Sequence, residues 1–367
     1  MKFSIQRESF LQPLSQVVGV VERRQTLPVL ANFLLVARDN TLAVTGTDME
    51  VELVGTVSAE VAQEGEITVP ARKLLDIVRA LPDGSAITFS VSEEKATMMA
   101  GRSRFTLSTL PATEFPATDH VETLEEVPLP ENGLKQLLDK TAFAMANQDV
   151  RYYLNGLLLD FRDGALRTVA TDGHRLAVCD YHDKSGLEQD RQVIVPRKGV
   201  MELVRMLTDE KKDVVTLALG RNHVRLAKEG TKFTSKLIDG RFPDYEAVIP
   251  VGADKQILVD RGPFTQALQR AAILSNEKYR GVRLEAAAGV LKIIAHNPQH
   301  EEAIEEIEAE MNFDSLAVGF NVTYLLDALM AIETEQVSLE LKDANSSCLI
   351  SAPDSDLNRH VVMPLKL

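Results

Sequence analysis

The sequence predicts an α+β protein made of three tandem copies of one domain, and three observations carry that prediction. Thr-Leu-Ala-Val-Thr-Gly-Thr-Asp at 41–48 recurs as Leu-Arg-Thr-Val-Ala-Thr-Asp-Gly at 166–173, and more loosely as Leu-Lys-Ile-Ile-Ala-His-Asn-Pro at 291–298. With Asp48, Asp172 and Asn297 as landmarks, the steps are 124 and 125 residues. Independently, Ile-Thr-Val-Pro-Ala-Arg-Lys-Leu-Leu at 67–75 returns as Ile-Val-Pro-Arg-Lys-Gly-Val-Met at 194–201, with Phe-Asn-Val-Thr-Tyr-Leu-Leu at 320–326 in the same place of the third copy. Two markers with one period define whole-domain copies, at 1–125, 126–250 and 251–367. Thirdly, helical and strand periodicities alternate so that every copy reads as two half-units, each a strand, a helix and two or three strands.

The first copy shows the pattern in order. Lys2–Gln6 is a short strand, and Phe10, Leu11, Leu14, Val17 and Val18 form the apolar stripe of a helix over Glu8–Val18. Strands follow at Asn32–Arg38, Thr41–Gly46 and Glu50–Val57, rich in Val, Leu and Thr, with Asp39-Asn40 as a hairpin turn. The second half-unit opens with strand Glu66–Val69. Pro70 stands where a helix has no use for an N–H, and the helix Ala71–Leu81 stops at Pro82-Asp83-Gly84. Strands follow at Ala86–Val91, Ala96–Ala100 and Arg104–Pro111. The remaining helices are expected at about 132–146, 197–207, 263–275 and 321–332, with short linkers near Ala117–Val127 and Ile249–Lys255.

Bulk properties narrow the class. No apolar run reaches the ~18 residues that a membrane-spanning helix needs, and the start, Met1-Lys2-Phe3-Ser4-Ile5-Gln6-Arg7-Glu8, carries charge where a signal peptide needs an apolar stretch. A cytoplasmic protein is expected. Cys179 and Cys348 lie in different copies without ligand-like neighbours, so they read as buried free thiols, with no metal site and no cofactor. The net charge of −14 alone argues against nucleic acid. Its distribution does not. The six helical windows 8–18, 71–81, 132–147, 196–207, 263–281 and 321–332 hold eleven basic and six acidic residues, a surplus of five, leaving −19 on the rest. If the half-units all face one way, those charges add on one face that meets phosphate. Scattered solubilising cations are the plainer alternative.

Thr171-Asp172-Gly173-His174-Arg175-Leu176 offers a carboxylate beside a histidine, but no nucleophile, Walker loop, His-Glu-x-x-His or Cys-x-x-Cys accompanies it. No catalytic residue is assigned. A strand-end turn fixed by Asp and Gly is the simpler reading, and copy one repeats it at Thr47-Asp48. The competing enzymatic reading is a metal-dependent phosphoesterase or nuclease using Asp48 and Asp172. Those two sit at equivalent repeat positions about one domain apart, which tells against their sharing a metal.

The motifs also carry a family resemblance over the whole chain. Arg-Gln-Thr-Leu-Pro-Val-Leu at 24–30, Thr-Gly-Thr-Asp at 45–48, Val-Pro-Ala-Arg-Lys at 69–73 and Gly-Arg-Ser-Arg-Phe-Thr-Leu-Ser-Thr-Leu-Pro at 101–111 mark the first copy. Gln-Asp-Val-Arg-Tyr-Tyr-Leu-Asn-Gly at 148–156, Val-Ala-Thr-Asp-Gly-His-Arg-Leu-Ala-Val at 169–178 and Asp-Gly-Arg-Phe-Pro-Asp-Tyr at 239–245 mark the second. Ala-Ile-Leu-Ser-Asn-Glu-Lys-Tyr-Arg-Gly at 272–281 and Val-Val-Met-Pro-Leu at 361–365 mark the third. The chain resembles the beta subunits of bacterial DNA polymerase III, the sliding clamps. That resemblance implies DNA-clamp domains and a head-to-tail homodimer whose six domains close a ring, with helices lining the interior and antiparallel sheets outside. It implies sequence-independent binding of double-stranded DNA, with replicative and other polymerases, the clamp loader and repair proteins docking through short apolar peptides, in the cytoplasm at the nucleoid. It implies no catalysis.

Residue by residue, the resemblance places a peptide-binding cleft at Leu154, Thr171, Gly173, His174, Arg175, Leu176, Pro243, Val248, Tyr324, Ser347, Val361, Met363, Pro364 and Leu365. Leu, Val, Met and Pro suit Leu or Phe anchors, and Met adapts to several partners. Asn345 replaces an apolar residue of the best-known relatives, Ala247 a basic one and Leu365 a methionine, so peptide preferences are expected to shift. Candidate DNA contacts are Arg24, Gln148, Tyr152 and Tyr153, with Arg72, Arg79, Arg197, Lys198 and Arg205 supplying a diffuse field. Two neighbouring tyrosines in a strand ordinarily put one ring in the core. The dimer contact is placed at Lys73, Arg102, Arg104, Phe105 and Leu107 on one side and Arg270, Ile273, Leu274, Glu301, Glu302 and Glu305 on the other. The acidic run at 301–310 would repel itself in a two-fold contact but matches a basic surface head to tail.

Overall fold

The structure is a computed structural model, and it describes residues 1–22, 27–116, 122–181, 190–210 and 213–366. Six helices are described: α1 (Arg7–Val17), α2 (Ala71–Ala80), α3 (Glu131–Asp139), α4 (Arg197–Met206), α5 (Arg261–Ile273) and α6 (Val322–Ala331). Among the described residues every strand pairing is antiparallel, and no helix is long and apolar enough to cross a membrane.

The chain divides into two compact units. Unit one holds Met1–Asn132 and Lys198–Leu237, with two sheets. The five-stranded sheet runs Glu60–Gln63, Lys2–Gln6, Ala86–Ser92, Lys95–Ala100, Ser103–Ser108. The eight-stranded sheet runs Thr123–Pro130, Val214–Gly220, His223–Lys228, Thr231–Lys236, Val51–Ser58, Thr41–Thr47, Asn32–Arg38, Gly65–Pro70. Strands of copies one and two are therefore joined in one sheet, where Thr231–Lys236 pairs with Val51–Ser58 and Ser235 faces Val51.

Unit two holds Gly133–Arg197 and Ile238–Leu367. Its nine-stranded sheet runs Arg191–Pro196, Gly156–Arg162, Ala165–Thr171, Arg175–Asp180, Ser355–Val362, Cys348–Ala352, Gln336–Leu341, Lys255–Asp260, Glu310–Met311. Here copies two and three share a sheet through Arg175–Asp180 and Ser355–Val362, with Arg175 opposite Val362. A four-stranded sheet, Glu302–Glu308, Val290–His296, Gly281–Ala287, Ser315–Asn321, completes the unit.

Local sequence explains these elements. The amphipathic α2 buries Ala71, Leu74, Leu75 and Val78, and α1 buries Phe10, Pro13, Leu14 and Val17. A Cβ on Gly55 would stand 2.8 Å from Pro13 Cβ, so the glycine lets α1 lie close on its strand. The Asp39-Asn40 turn has φ of 49° and 53°, the two left-handed residues of a type I′ hairpin. At α6, Asn321 caps the helix by accepting from the Thr323 N–H at 2.9 Å.

One helix is shorter than its periodicity predicts. The expected helix to about 146 ends at Asp139, and Ala142–Ala144 form a separate 3-10 turn. Thr141 is the cause: its buried hydroxyl bonds the Leu137 carbonyl at 2.7 Å and approaches Thr168 Oγ1 at 3.1 Å, and its φ of −132° leaves the helical path. The six observed helices carry ten basic and six acidic residues, a surplus of four, and Lys140, Lys278 and Arg280 fall outside them. Both cysteines are buried and free, and burial pushes the Cys179 thiol up to about 11.

Candidate functional site

The three sequence landmarks prove to be one repeated device. Asp48 Oδ1 accepts the N–H groups of Glu50 (2.9 Å) and Val51 (2.7 Å), while Thr47 Oγ1 accepts that of Met49 and donates to the Val51 carbonyl. Asp172 Oδ1 accepts those of His174 (2.9 Å) and Arg175 (3.1 Å), while Thr171 Oγ1 accepts that of Gly173 and donates to the Arg175 carbonyl. Asn297 Oδ1 does the same for Gln299 and Glu301, with one residue more in the turn. Each turn needs a residue with positive φ: Met49 (76°), Gly173 (86°) or His300 (62°). The carboxylates of Asp48 and Asp172 are thus spent on turn amides, and each also meets a cation, Lys198 and Arg175 respectively.

In unit two the turn, expected from the resemblance to edge a cleft, leads into strand Arg175–Asp180. Behind it lies Leu158, Val169, Leu176, Val178, Ile194, Phe242, Tyr245 and Val361, an apolar cluster with half-buried Tyr153, Ile238, Ile249 and Leu349 packed on it. Leu154, Leu176 and Val361 are buried, whereas His174, Pro243, Val248 and Met363 are exposed. The Met363 N–H donates to the His174 carbonyl at 2.9 Å, and the Leu365 N–H to the Gly319 carbonyl at 2.8 Å, which seats the C-terminal segment beside the turn. Pro364 and Leu365 continue into a groove shared with Arg283, Ala317–Gly319 and Asn345. Ser347 is half-buried beside strand Cys348–Ala352, and Ala247 is exposed.

Arg175 is more embedded than a lining residue. Nη1 pairs with Asp327, Nε with Asp172 at 3.1 Å, and Nη2 donates to the Phe143 carbonyl at 2.7 Å. Its guanidinium lies 4.6 Å from the Tyr324 ring centroid and 5.4 Å from that of Phe143. Phe143, Asp327, Phe242 and Tyr245 belong to no site motif in the sequence. The last two stand inside the quoted segment at 239–245, where two aromatics spaced by three invite the question of what they cover.

The candidate DNA contacts divide. Gln148 (φ 58°) and Tyr152 are exposed, while Tyr153 packs into the apolar cluster, with the two tyrosine rings edge to face at 5.8 Å. Next to them Arg151 chelates Asp149 at 3.0 and 2.9 Å and holds that carboxyl down to about 2. Several cations are tied down: Arg72 donates to the Val21 carbonyl, Arg197 to the Met145 carbonyl, Lys198 to the Val20 carbonyl and Glu22, and Arg205 to Glu202. Arg79 is exposed, and Arg24 lies outside the described residues.

On the strand Ser103–Ser108 side, Lys73, Arg102 and Arg104 are exposed, Phe105 half-buried and Leu107 buried. On the other side Ile273 is 77% exposed, Leu274 half-buried, and Glu301 and Glu302 exposed. Arg270 is bonded within its own side to Glu305 at 2.9 Å, which lowers the pKa of that carboxyl.

Comparison with known proteins settles the class. Residues 1–119 match the N-terminal domain of the DNA polymerase III beta subunit, 128–244 the central domain and 246–366 the C-terminal domain. The chain belongs to that family, the sliding clamps of DNA polymerase III, which are non-catalytic processivity factors built of three tandem clamp domains. It is 54% identical to the beta sliding clamp of Pseudomonas aeruginosa over 368 residues and 48% identical to that of Escherichia coli K12, covering 100% of both chains in each case. Among solved structures, the P. aeruginosa polymerase III subunit beta superposes with a TM-score of 0.94 at 54% identity and full coverage of both chains, and Caulobacter crescentus pol III beta with 0.93 at 37%, again over all of both chains. The phosphoesterase reading finds no support in these relatives.

Proposed function

We propose that two copies of this chain close head to tail into a ring around duplex DNA and that the unit-two cleft docks the short apolar peptides of its partners. One observation carries the ring. Both internal junctions pair the last strand of one copy's first half-unit with the last strand of the next copy's second half-unit: Val51–Ser58 with Thr231–Lys236, and Arg175–Asp180 with Ser355–Val362. By that rule two strands remain, Glu302–Glu308 and Ser103–Ser108, and each lies at the edge of its sheet. One is flanked by Glu301 and carries Glu302, Glu305 and Glu306, and the other carries Arg104 and follows Arg102, to which the resemblance adds the exposed Lys73 of α2. Neither edge suits a copy of itself, and the two suit each other. Ile273, Leu274, Phe105 and Leu107 supply the apolar part, and Arg270 orients Glu305 from within its own side.

The exposed Gln148, Tyr152, Arg79 and the tethered Arg72, Arg197, Lys198 and Arg205 would meet phosphates without reading bases, as sliding requires, with Arg24 assigned the same role. The cleft, from Leu154 and the Thr171–Leu176 turn to Pro243, Val248, Tyr324, Ser347 and Val361–Leu365, would take polymerases, the clamp loader and repair proteins in turn. The site of action is then the cytoplasm, at the nucleoid.

The test is retention by topology. The protein is loaded onto nicked circular duplex with its loader and ATP, the salt is raised, and the circle is then cut. Retention on circles and loss on cutting is the expected result. Equal release before and after cutting would overturn encirclement.

A further inference from the structure

We propose that Tyr245, outside the docking residues above, is the positioning residue that fixes one wall of the cleft, and this rests on the cleft reading. The face of the sheet beneath the cleft has two halves. Its apolar half is Leu158, Val169, Leu176, Val178 and Val361, the floor already described. Along the same strands, two residues further, the face turns polar with Asp160, Arg167, Asp180 and Arg359, and Arg162 follows two residues beyond Asp160. These join in one network. Arg167 pairs with both carboxylate oxygens of Asp180, Arg359 Nη2 meets Asp180 at 2.7 Å, and Arg162 meets Asp160 at 3.2 Å.

Tyr245 stands at the boundary. Its ring belongs to the apolar cluster and lies 6.5 Å from that of Phe242, edge to face. Its hydroxyl reaches over the polar half, donating to the buried carboxylate of Asp160 at 2.6 Å and accepting from Arg167 at 3.2 Å. Burial and the bond to Asp160 push the phenol up to about 12, so it stays a donor through the physiological range. The next residue, Glu246, is held by Arg167 at 2.9 Å and Arg162 at 3.3 Å. Two adjacent residues are therefore anchored to strands Gly156–Arg162 and Ala165–Thr171, while Pro243 and Val248 on either side of them are exposed. A short connecting segment with so little backbone pairing of its own takes its position from such anchors. Tyr245 acts on a docked peptide through Val248 and Pro243, and the guanidinium network sets where Tyr245 stands.

Tyr245→Phe keeps the ring and removes the hydroxyl. Binding of a fluorescein-labelled nine-residue peptide with adjacent Leu and Phe anchors is expected to weaken about fivefold, a part of what the loss of one bond to a charged group costs, since that bond reaches the peptide only through the wall. Melting temperature is followed alongside. The decisive readout is the double-mutant cycle with Val248→Ala. If Tyr245 works through the wall, the double variant loses less affinity than the product of the two single losses. Wild-type affinity in Tyr245→Phe, or losses that multiply, would overturn the inference. Hydrogen exchange in the free protein tests it without any peptide: amides of 242–249 should exchange faster in Tyr245→Phe while those of 156–171 do not, and equal protection would sink the idea. Glu246→Gln, at the surface, repeats both tests where Tyr245→Phe folds poorly, with the same non-additivity expected. If wild-type protein and Met363→Ala both fail to bind the peptide, the cleft reading falls, and the exchange result still decides the role of Tyr245.

Discussion

The two internal junctions share a backbone and differ in what they do with it. At the first, Val51 faces Ser235 and the Lys236 N–H donates to the Glu50 carbonyl at 2.8 Å. At the second, Arg175 faces Val362 and the Met363 N–H donates to the His174 carbonyl at 2.9 Å. The turn, the register and the bond are the same. The side chains are not. The first junction presents Glu50, Glu52 and Lys236, and Lys198 ties Asp48 to Glu22 and the Val20 carbonyl. The second presents Gly173 and Met363 beside an apolar floor that includes Leu176 and Val361. The difference teaches that the repeat supplies the joint twice, and composition alone makes one joint polar and the other apolar.

Acid should separate the two junctions most. Register places His360 opposite Ala177 at the second and Phe233 opposite Leu53 at the first. His360 is buried with no partner for either ring nitrogen, and burial, then Lys140 and Arg175, push its pKa down to about 3. The unfolded chain binds this proton more readily, so stability falls as pH drops from about 6.5 toward 3, by roughly 5 kcal/mol for this group at the acid limit. His360→Leu should flatten that part of the pH–stability curve, and denaturant titrations at pH 7, 5 and 4 would show it. An unchanged slope would mean that the imidazole finds a partner.

Arg175→Ala should cost about 3 kcal/mol by denaturant melts, because Asp172 and Asp327 lose a partly buried partner. Peptide binding should fall with it. Gly173→Ala should cost about 1–2 kcal/mol, since φ stays positive and the new methyl would lie 2.8 Å from Arg151 Nη2. The matching change at the first junction, Met49→Gly, should be neutral or stabilising by about 1 kcal/mol, since it relieves a left-handed methionine. If the two changes have the same sign, the turns are not equivalent. The smallest effect is expected from Glu22→Gln: its pair with Lys198 is half exposed, so melts should move by less than about 0.5 kcal/mol.

Most of the fold was legible because its signals are local. The hairpin at Asp39-Asn40, the stripe of α2 and the period between Asp48, Asp172 and Asn297 each rest on neighbours in sequence. The end of α3 was not legible, because Thr141 turns on Thr168, a residue 27 positions away. The site follows the same line. Leu176, Val361 and Met363 can be named from motifs. The contacts of Phe143, Asp327 and Tyr245 depend on which strands come together, and no spacing reveals that Arg175 meets two rings.

The compact units cut across the sequence repeat. Copy two gives most of Thr123–Pro130 and its three C-terminal strands to one sheet and the strands within Gly156–Asp180 and Arg191–Pro196 to another. The central copy therefore has no cooperative melting transition to call its own. A calorimetric trace should resolve by unit, with half of copy two unfolding in each step, and copy two excised at its sequence boundaries should expose two bare strand edges and aggregate rather than fold.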